Sequence, residues 1–204
     1  MDVILKRTFI IGILSCCLLP PLALAGDAED YERGIEHFNN QELSDATVIF
    51  KKLALQNYTP AQARLGDLFD SAELHELAVG WYIMAAFQGE ATGAFGLGRA
   101  YETGLGIKKD PAQALYWYKF AADKDDLNAI KVMEKAYRVG EDSGLAVPVD
   151  LKQAEYWKAK KDPLEKANIE EIKAKQQAAL KAIYEKNRAL QKEIEETRKA
   201  NKSR

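Results

Sequence analysis

The stretch Ala94–Gly106, AFGLGRAYETGLG, runs on as IKKDPAQALYWYKFAA to Ala122 and decides how the chain is read. Apolar and small residues recur at three- and four-residue steps on both sides of Gly104-Leu105-Gly106, so the stretch is two short helices joined by a glycine turn. Weaker copies flank it. The motif Ala-x-x-Trp-Tyr occurs at Ala78…Trp81-Tyr82 and at Ala114…Trp117-Tyr118, and returns at Ala154…Trp157 with Tyr156 moved ahead of the Trp. The Trp spacings, 36 and 40 residues, lie in the range of solenoid repeats. Leu65-Gly66 aligns with Leu97-Gly98, and Phe69, Tyr101 and Tyr137 share a later position. Gly34 lies 32 residues before Gly66, as Ala46 lies 32 before Ala78. The chain is therefore expected to be all-α, an α-α superhelix of about four antiparallel helix pairs followed by a long C-terminal helix.

The residue types suit that architecture. Glycines such as Gly66 and Gly98 stand where two helices cross closely and a larger side chain would force the axes apart. Trp81, Trp117 and Trp157, with their tyrosines and Tyr101, fill the space between repeats and bury the most apolar area. Gly104 and Gly106 allow the reversal between helices. One pair cannot bury its own apolar face, so neighbours must stack. Helix starts repeat as well: Thr59-Pro60-Ala61-Gln62, Asp110-Pro111-Ala112-Gln113, Asp150-Leu151-Lys152-Gln153 and Asp162-Pro163-Leu164-Glu165 all read as caps, the last opening the C-terminal helix.

Residues 91–125 closely resemble the Sel-one-like (Sel1-like, SLR) repeat, a relative of the tetratricopeptide repeat. The resemblance rests on Leu97-Gly98, Tyr101, Gly104-Leu105-Gly106-Ile107, Asp110, Ala114, Trp117-Tyr118 and Ala121-Ala122. It extends over about Pro60–Lys160. The repeat at 60–89 replaces the glycine turn with the shorter Asp70-Ser71-Ala72-Glu73. The repeat at 126–162 has Met133-Glu134 for Leu-Gly, a longer loop over Gly140–Pro148, and Lys158-Ala159-Lys160-Lys161 for the paired alanines, which suits a terminal repeat with a polar outer side. The divisions read as a signal peptide over 1–25, a tetratricopeptide-like pair over 26–59, Sel-one-like repeats over 60–162 and a long charged helix over 163–204.

The first residues form a separate segment. Lys6 and Arg7 give a charged start, Phe9–Leu19 an apolar run too short for a membrane span, and Ala23-Leu24-Ala25 a small-residue cleavage site. A periplasmic or secreted protein is expected, with no stable membrane span after cleavage. The alternatives are an uncleaved N-terminal anchor, or a lipid anchor at Cys16 or Cys17 after Leu14-Ser15. Cleavage after Ala25 removes both cysteines, and disulfides, thiol catalysis and thiolate metal sites leave with them.

Charge and chemistry narrow the function. Residues 26–162 carry 23 acidic against 16 basic side chains, a balance of −7, and residues 163–204 carry 7 against 11, a balance of +4. Ile169, Ile172, Leu180, Ile183, Leu190 and Ile194 make a narrow stripe along the last helix, interrupted by Gln176 and Asn187 at seam positions. It suits a weak coiled coil, with self-association through the C-terminal helix, a helix docked against a partner, or a solvated helix supported by pairs such as Glu171–Lys175. His37 and His75 stand on different helix pairs with no carboxylate cluster at ligand spacing. No P-loop, zinc-protease, nucleophile-elbow or dinucleotide motif occurs. Gly96-Leu97-Gly98 belongs to the repeat's packing, and Asp125-Asp126 and Glu141-Asp142 read as turn and cap chemistry. Neither a catalytic residue, a metal site nor a cofactor is expected.

What remains is binding. In the family that the chain resembles, first helices of successive pairs line a concave face. By register this implies Arg64 and Asp67 in one repeat, Phe95, Arg99 and Glu102 in the next, and Lys131, Lys135 and Arg138 in the last. Their mixed charges suit a protein surface rather than nucleic acid, which requires a basic groove. The implied function is a non-enzymatic protein–protein interaction scaffold of the bacterial cell envelope with an unidentified protein partner. Envelope regulation, assembly and host contact all remain open as its process. A cell-wall- or glycan-binding module is the alternative, and a hydrolase a more distant one. Cysteine-rich relatives linked to β-lactams carry cysteine pairs in each repeat, which the chain after Ala25 lacks.

Overall fold

The computed structural model describes residues 25–202, with side chains over 26–196; the segment read as a signal peptide, with both cysteines, lies outside the described residues. The helices are α1 (Ala25–Asn39), α2 (Leu43–Leu55), α3 (Thr59–Ser71), α4 (His75–Phe87), α5 (Ala91–Thr103), α6 (Pro111–Asp123), α7 (Leu127–Val139) and α8 (Leu151–Lys202), with a 3-10 turn over Gly140–Ser143. No strand occurs among the described residues. Each helix packs on the next, α1 on α2 through α7 on α8, which makes four antiparallel pairs. First helix α3 also packs directly on α5, whereas second helices α4 and α6 make no comparable contact. In the middle of the stack the first helices thus approach one another more closely than the second helices do.

One aromatic ring per pair sets the spacing. Phe50, Tyr82 and Tyr118 occupy one repeat position and lie against Gly34, Gly66 and Gly98 of their own first helices. A Cβ on Gly66 would stand 2.6 Å from the Tyr82 ring, and one on Gly98 2.8 Å from the Tyr118 ring. Tyr82 is gripped from both sides, since Gly96 of the following repeat would bring a Cβ to 2.4 Å. A ring can enter so narrow a slot only where no side chain projects. In the fourth pair the rule lapses: Glu134 stands at the glycine position and Lys158 at the tyrosine position.

The turns between pairs are alike. Asn57, Gly89 and Asp125 all take positive φ, and the extended residues after them, Tyr58, Glu90 and Asp126, enter the next helix. Asp110 caps α6 by accepting from the N–H groups of Ala112 and Gln113 at 3.0 Å. Asp150 does the same for Lys152 and Gln153 at the start of α8. The N–H groups of the two aspartates donate to the carbonyls of Tyr101 and Tyr137, so the longer loops return to matching points on the first helices. Gly104 closes α5 in the left-handed region, and at Gly106 a Cβ would meet the His75 carbonyl oxygen at 2.4 Å.

Three local expectations are corrected. Thr59 does not cap α3; it lies inside the helix behind the extended Tyr58. Gln62 is wholly buried, donating to the Ala54 carbonyl and Asn57 Oδ1 and accepting from Gln88 Nε2 at 2.9 Å, so neighbouring elements claim the side chain that a local capping box would use. Asp70 and Ser71 remain helical, and the turn after α3 falls on Ala72–Leu74, closed by Glu73 at φ 60°.

The third correction concerns the C-terminus. Asp162-Pro163 opens no new helix, because α8 runs unbroken from Leu151 to Lys202, 52 residues or about 78 Å at 1.5 Å per residue. Pro163 deprives the Ala159 carbonyl of a donor. Anchors on α7 hold the helix across that point: Lys161 Nζ donates to Glu134 Oε2 at 2.6 Å, Leu164 packs on the core, and Lys131 pairs with Glu165 at 2.9 Å. Over residues 166–196 α8 is exposed on every side, and Glu171 pairs with Lys175 at 2.7 Å.

Replacing Gly66 by valine forces the Tyr82 ring out of its slot. The expected cost is about 1–3 kcal/mol, the range of overpacked cores, read as a lower urea midpoint with helicity retained.

Candidate functional site

The first helices carry a polar chain that crosses repeat boundaries. Arg64 on α3 donates to Asp67 Oδ2 at 3.2 Å, interacts with the Tyr31 hydroxyl of the preceding pair, and keeps a buried Nε with no hydrogen-bond partner among the described residues. The Tyr82 hydroxyl, brought to this face by its slot between Gly66 and Gly96, donates to Asp67 Oδ1 at 2.9 Å. Arg99 on α5 donates to that hydroxyl at 3.2 Å and to Asp70 on α3. Asp70 also holds His75 Nδ1 at 2.8 Å. One repeat on, the Tyr118 hydroxyl donates to Glu102, and the Phe95 ring stands 5.5 Å from that of Tyr118. Four of the sequence-derived residues, Arg64, Asp67, Arg99 and Glu102, therefore sit in these linked contacts.

Burial shapes their ionisation. It pushes the Asp67 carboxyl above the usual carboxylate range, against the pull of Tyr82, Arg64 and Arg99. It also raises the Tyr82 and Tyr118 hydroxyls well above the ordinary tyrosine value, and the carboxylates that they face, Asp67 and Glu102, add to the shift. Both hydroxyls are thus fixed as donors at any ordinary pH, and each locks an acidic side chain in one orientation.

The last repeat is built differently. Arg138 donates to Glu134 at 2.9 Å and lies 3.6 Å from Glu155, while Lys131 reaches Glu165. Lys135 is exposed and makes no ion pair among the described residues. These three stand apart from the Tyr82 chain. The helix α8 then carries on as an exposed helix, on which Lys175 pairs with Glu171 and feels the charge of Glu32 on α1. Among the packing aromatics, Trp117 and Trp157 are buried and Trp81 is half-buried, with Phe87, Tyr116 and Phe120 edge-on around Trp117.

Sequence reading leaves out Asp70, His75 and the two hydroxyls. The signal was present in the spacing, since Tyr82 and Tyr118 follow their acidic partners by 15 and 16 residues. It also leaves out a grouping of His37, Glu42 and Asp45, whose ligand atoms lie within 4.8 Å of one another across the α1–α2 turn. Glu42 and Asp45 are exposed and Glu42 already bonds His37, so the group is explained as a surface ion pair. A hollow of about 220 Å³ lies beside Asp70, His75, Tyr82 and Arg99. Its charged walls are satisfied by one another.

The Sel1 repeat model matches residues 59–90, 91–126 and 136–157. The chain thus carries three matches to the Sel1 repeat. Two solved structures are similar to the chain: a protective antigen of uropathogenic Escherichia coli strains with an SLR fold, at 30% identity and TM-score 0.56, and a Sel1 repeat protein from Oxalobacter formigenes, at 28% identity and TM-score 0.57. The alignments cover 66% and 69% of this chain, but only 30% and 58% of those chains. No curated protein sequence matches it. Sel1 repeats are generally interaction scaffolds without catalysis of their own. No helix among the described residues of this chain is long and apolar enough to cross a membrane.

Two measurements follow from the contacts. Tyr82→Phe leaves half-buried Asp67 without one donor, at an expected cost of about 1–3 kcal/mol in urea unfolding. The Lys161 hydrogen bond holds the Glu134 carboxyl below its ordinary value, so its contribution is present above that value and is lost as pH falls through the lowered one. The stability gap between the wild type and Glu134→Gln is expected to be open at neutral pH and to close in acid.

Proposed function

We propose that this protein is a non-enzymatic scaffold of the cell envelope that holds a protein partner against its first-helix face. The observation that carries the reading is the state of that face. Side chains from consecutive first helices are fixed by hydrogen bonds before any partner arrives, which lowers the ordering cost of association. The Phe95 ring, half-buried over Tyr118, offers an apolar anchor among charges. Lys135, in the next repeat, presents a cation with no ion pair among the described residues.

Export is part of the same reading. The charged, apolar and small-residue order of residues 1–25 is that of a cleaved leader. A protective antigen among the similar structures agrees with a protein that leaves the cytoplasm. The arrangement of His37 and His75, each bonded to a single carboxylate on a different pair, supports binding over hydrolysis.

The test is a crosslinking capture from periplasm with the full chain, with Phe95→Ala and Arg99→Glu variants, and with a chain ending at Lys166 that keeps the Lys131–Glu165 pair. One protein captured by the wild type and the shortened chain, and lost from both variants, is the expected result. Capture that needs the tail and ignores both substitutions would move the binding surface to the stripe from Ile169 to Ile194.

A further inference from the structure

Helix α4 departs from its sister helices on the side turned away from the first-helix face. No charged residue occurs between Leu77 and Gly89. Leu74 and Leu77 replace Glu42 and Asp45 of α2, Asp110 and Gln113 of α6, and Asp150 and Gln153 of α8. Helix α4 thereby gives up the side-chain cap that Asp110 supplies to α6, and its own start has none. Leu74, Leu77, Met84 and Phe87 are all exposed, Phe87 at 75%. Their three- and four-residue steps place them in one stripe.

Gly80 stands in the middle of that stripe. Glycine inside a helix is destabilising relative to alanine. At Gly34, Gly66, Gly93, Gly96 and Gly98 the fold explains the choice, because a Cβ would collide with a neighbour. At Gly80 a Cβ would meet nothing within 4 Å. The other three pairs carry Val48, Tyr116 and Tyr156 at this position. Nothing among the described residues requires the missing side chain, and its absence leaves room for a close approach by a second helix.

The stripe is also its own complement. Its residues are spaced symmetrically about the point between Gly80 and Trp81. A two-fold axis there sets Leu77 against Met84, Leu74 against Phe87 and Gly80 against the half-buried Trp81 of the other helix. At the start of α4 lies a hollow of about 360 Å³, lined by Leu74, Leu77 and Gly106 with Glu73, His75 and Glu76 at its polar edge. It sits where the axis delivers the projecting Phe87 ring. A flat centre, matched apolar flanks, and a knob facing a hollow are the features of an isologous interface.

We propose that the protein forms a symmetric homodimer through α4, packed antiparallel on α4 of a second copy and crossing at Gly80. The contact uses the second-helix side, so both first-helix faces of the dimer stay open to partners.

The test is sedimentation velocity over a concentration series on the full chain, expressed through its own export route. The wild type is expected to dimerise reversibly. Gly80→Glu adds a side chain where the monomer has room, so its circular dichroism melt is preserved while dimerisation weakens by about thirtyfold or more. Gly80→Ala is expected to raise the melting temperature of the monomer and still weaken the dimer, which no loss of folding would imitate. Orientation is read by short thiol crosslinkers on chains with Cys16→Ser and Cys17→Ser. Leu77→Cys mixed with Met84→Cys is expected to crosslink, and Leu77→Cys alone is not. A monomer at every concentration, a dimer that Gly80→Glu leaves intact, or self-crosslinking of Leu77→Cys would each overturn the proposal.

Discussion

The structure depends on one contact, an aromatic ring pressed into a glycine slot. Phe50 on Gly34, Tyr82 on Gly66 and Tyr118 on Gly98 fix how closely the two helices of a pair approach. Tyr82 goes further, because Gly96 of the next repeat closes on its other side and couples one pair to the next. The same rings then carry their hydroxyls to the first-helix face, where they orient Asp67 and Glu102. Stacking and surface chemistry are thus set by the same side chains. Where the glycine becomes Glu134, the ring is absent and an ion pair with Lys161 takes its place. That exchange lets the last pair end in a charged helix instead of accepting a fifth.

The repeat phase was legible because each of its signals is local. Leu-Gly, Ala-x-x-Trp-Tyr and the Asp caps at Asp110 and Asp150 are settled within a few residues, and the observed helices follow them. Failures occur where a partner comes from another element. Thr59 through Gln62 spells a cap, but Gln62 is drawn into a buried network by Ala54, Asn57 and Gln88. Pro163 spells a start, but contacts from α7 carry the helix through it. At the face, Arg64, Asp67, Arg99 and Glu102 could be named by register. Their partners Tyr82 and Tyr118 were marked only by a recurring spacing, and Asp70 not at all, since the helical period says which side a residue faces and not which neighbour it meets.

The two sides of the solenoid have separate chemistry. The first-helix side is polar, interlocked and fixed before any partner binds, with Phe95 as its apolar element. The second-helix side is ordinary except at α4, where charge disappears and Gly80 flattens the surface. Between them α8 anchors on α7 and then extends as an exposed helix with its own narrow stripe. A scaffold built this way can present several surfaces without any one of them holding the fold together.

Site-specific photo-crosslinking inside living cells tests the central claim most directly. A photoreactive residue is introduced singly at Phe95 and Lys135 on the first helices, and at Tyr116 and Tyr156 on the second. The account predicts one adduct with a different protein from the first two positions and none from the last two. An adduct from Tyr116 or Tyr156 with silence at Phe95 and Lys135 would contradict it.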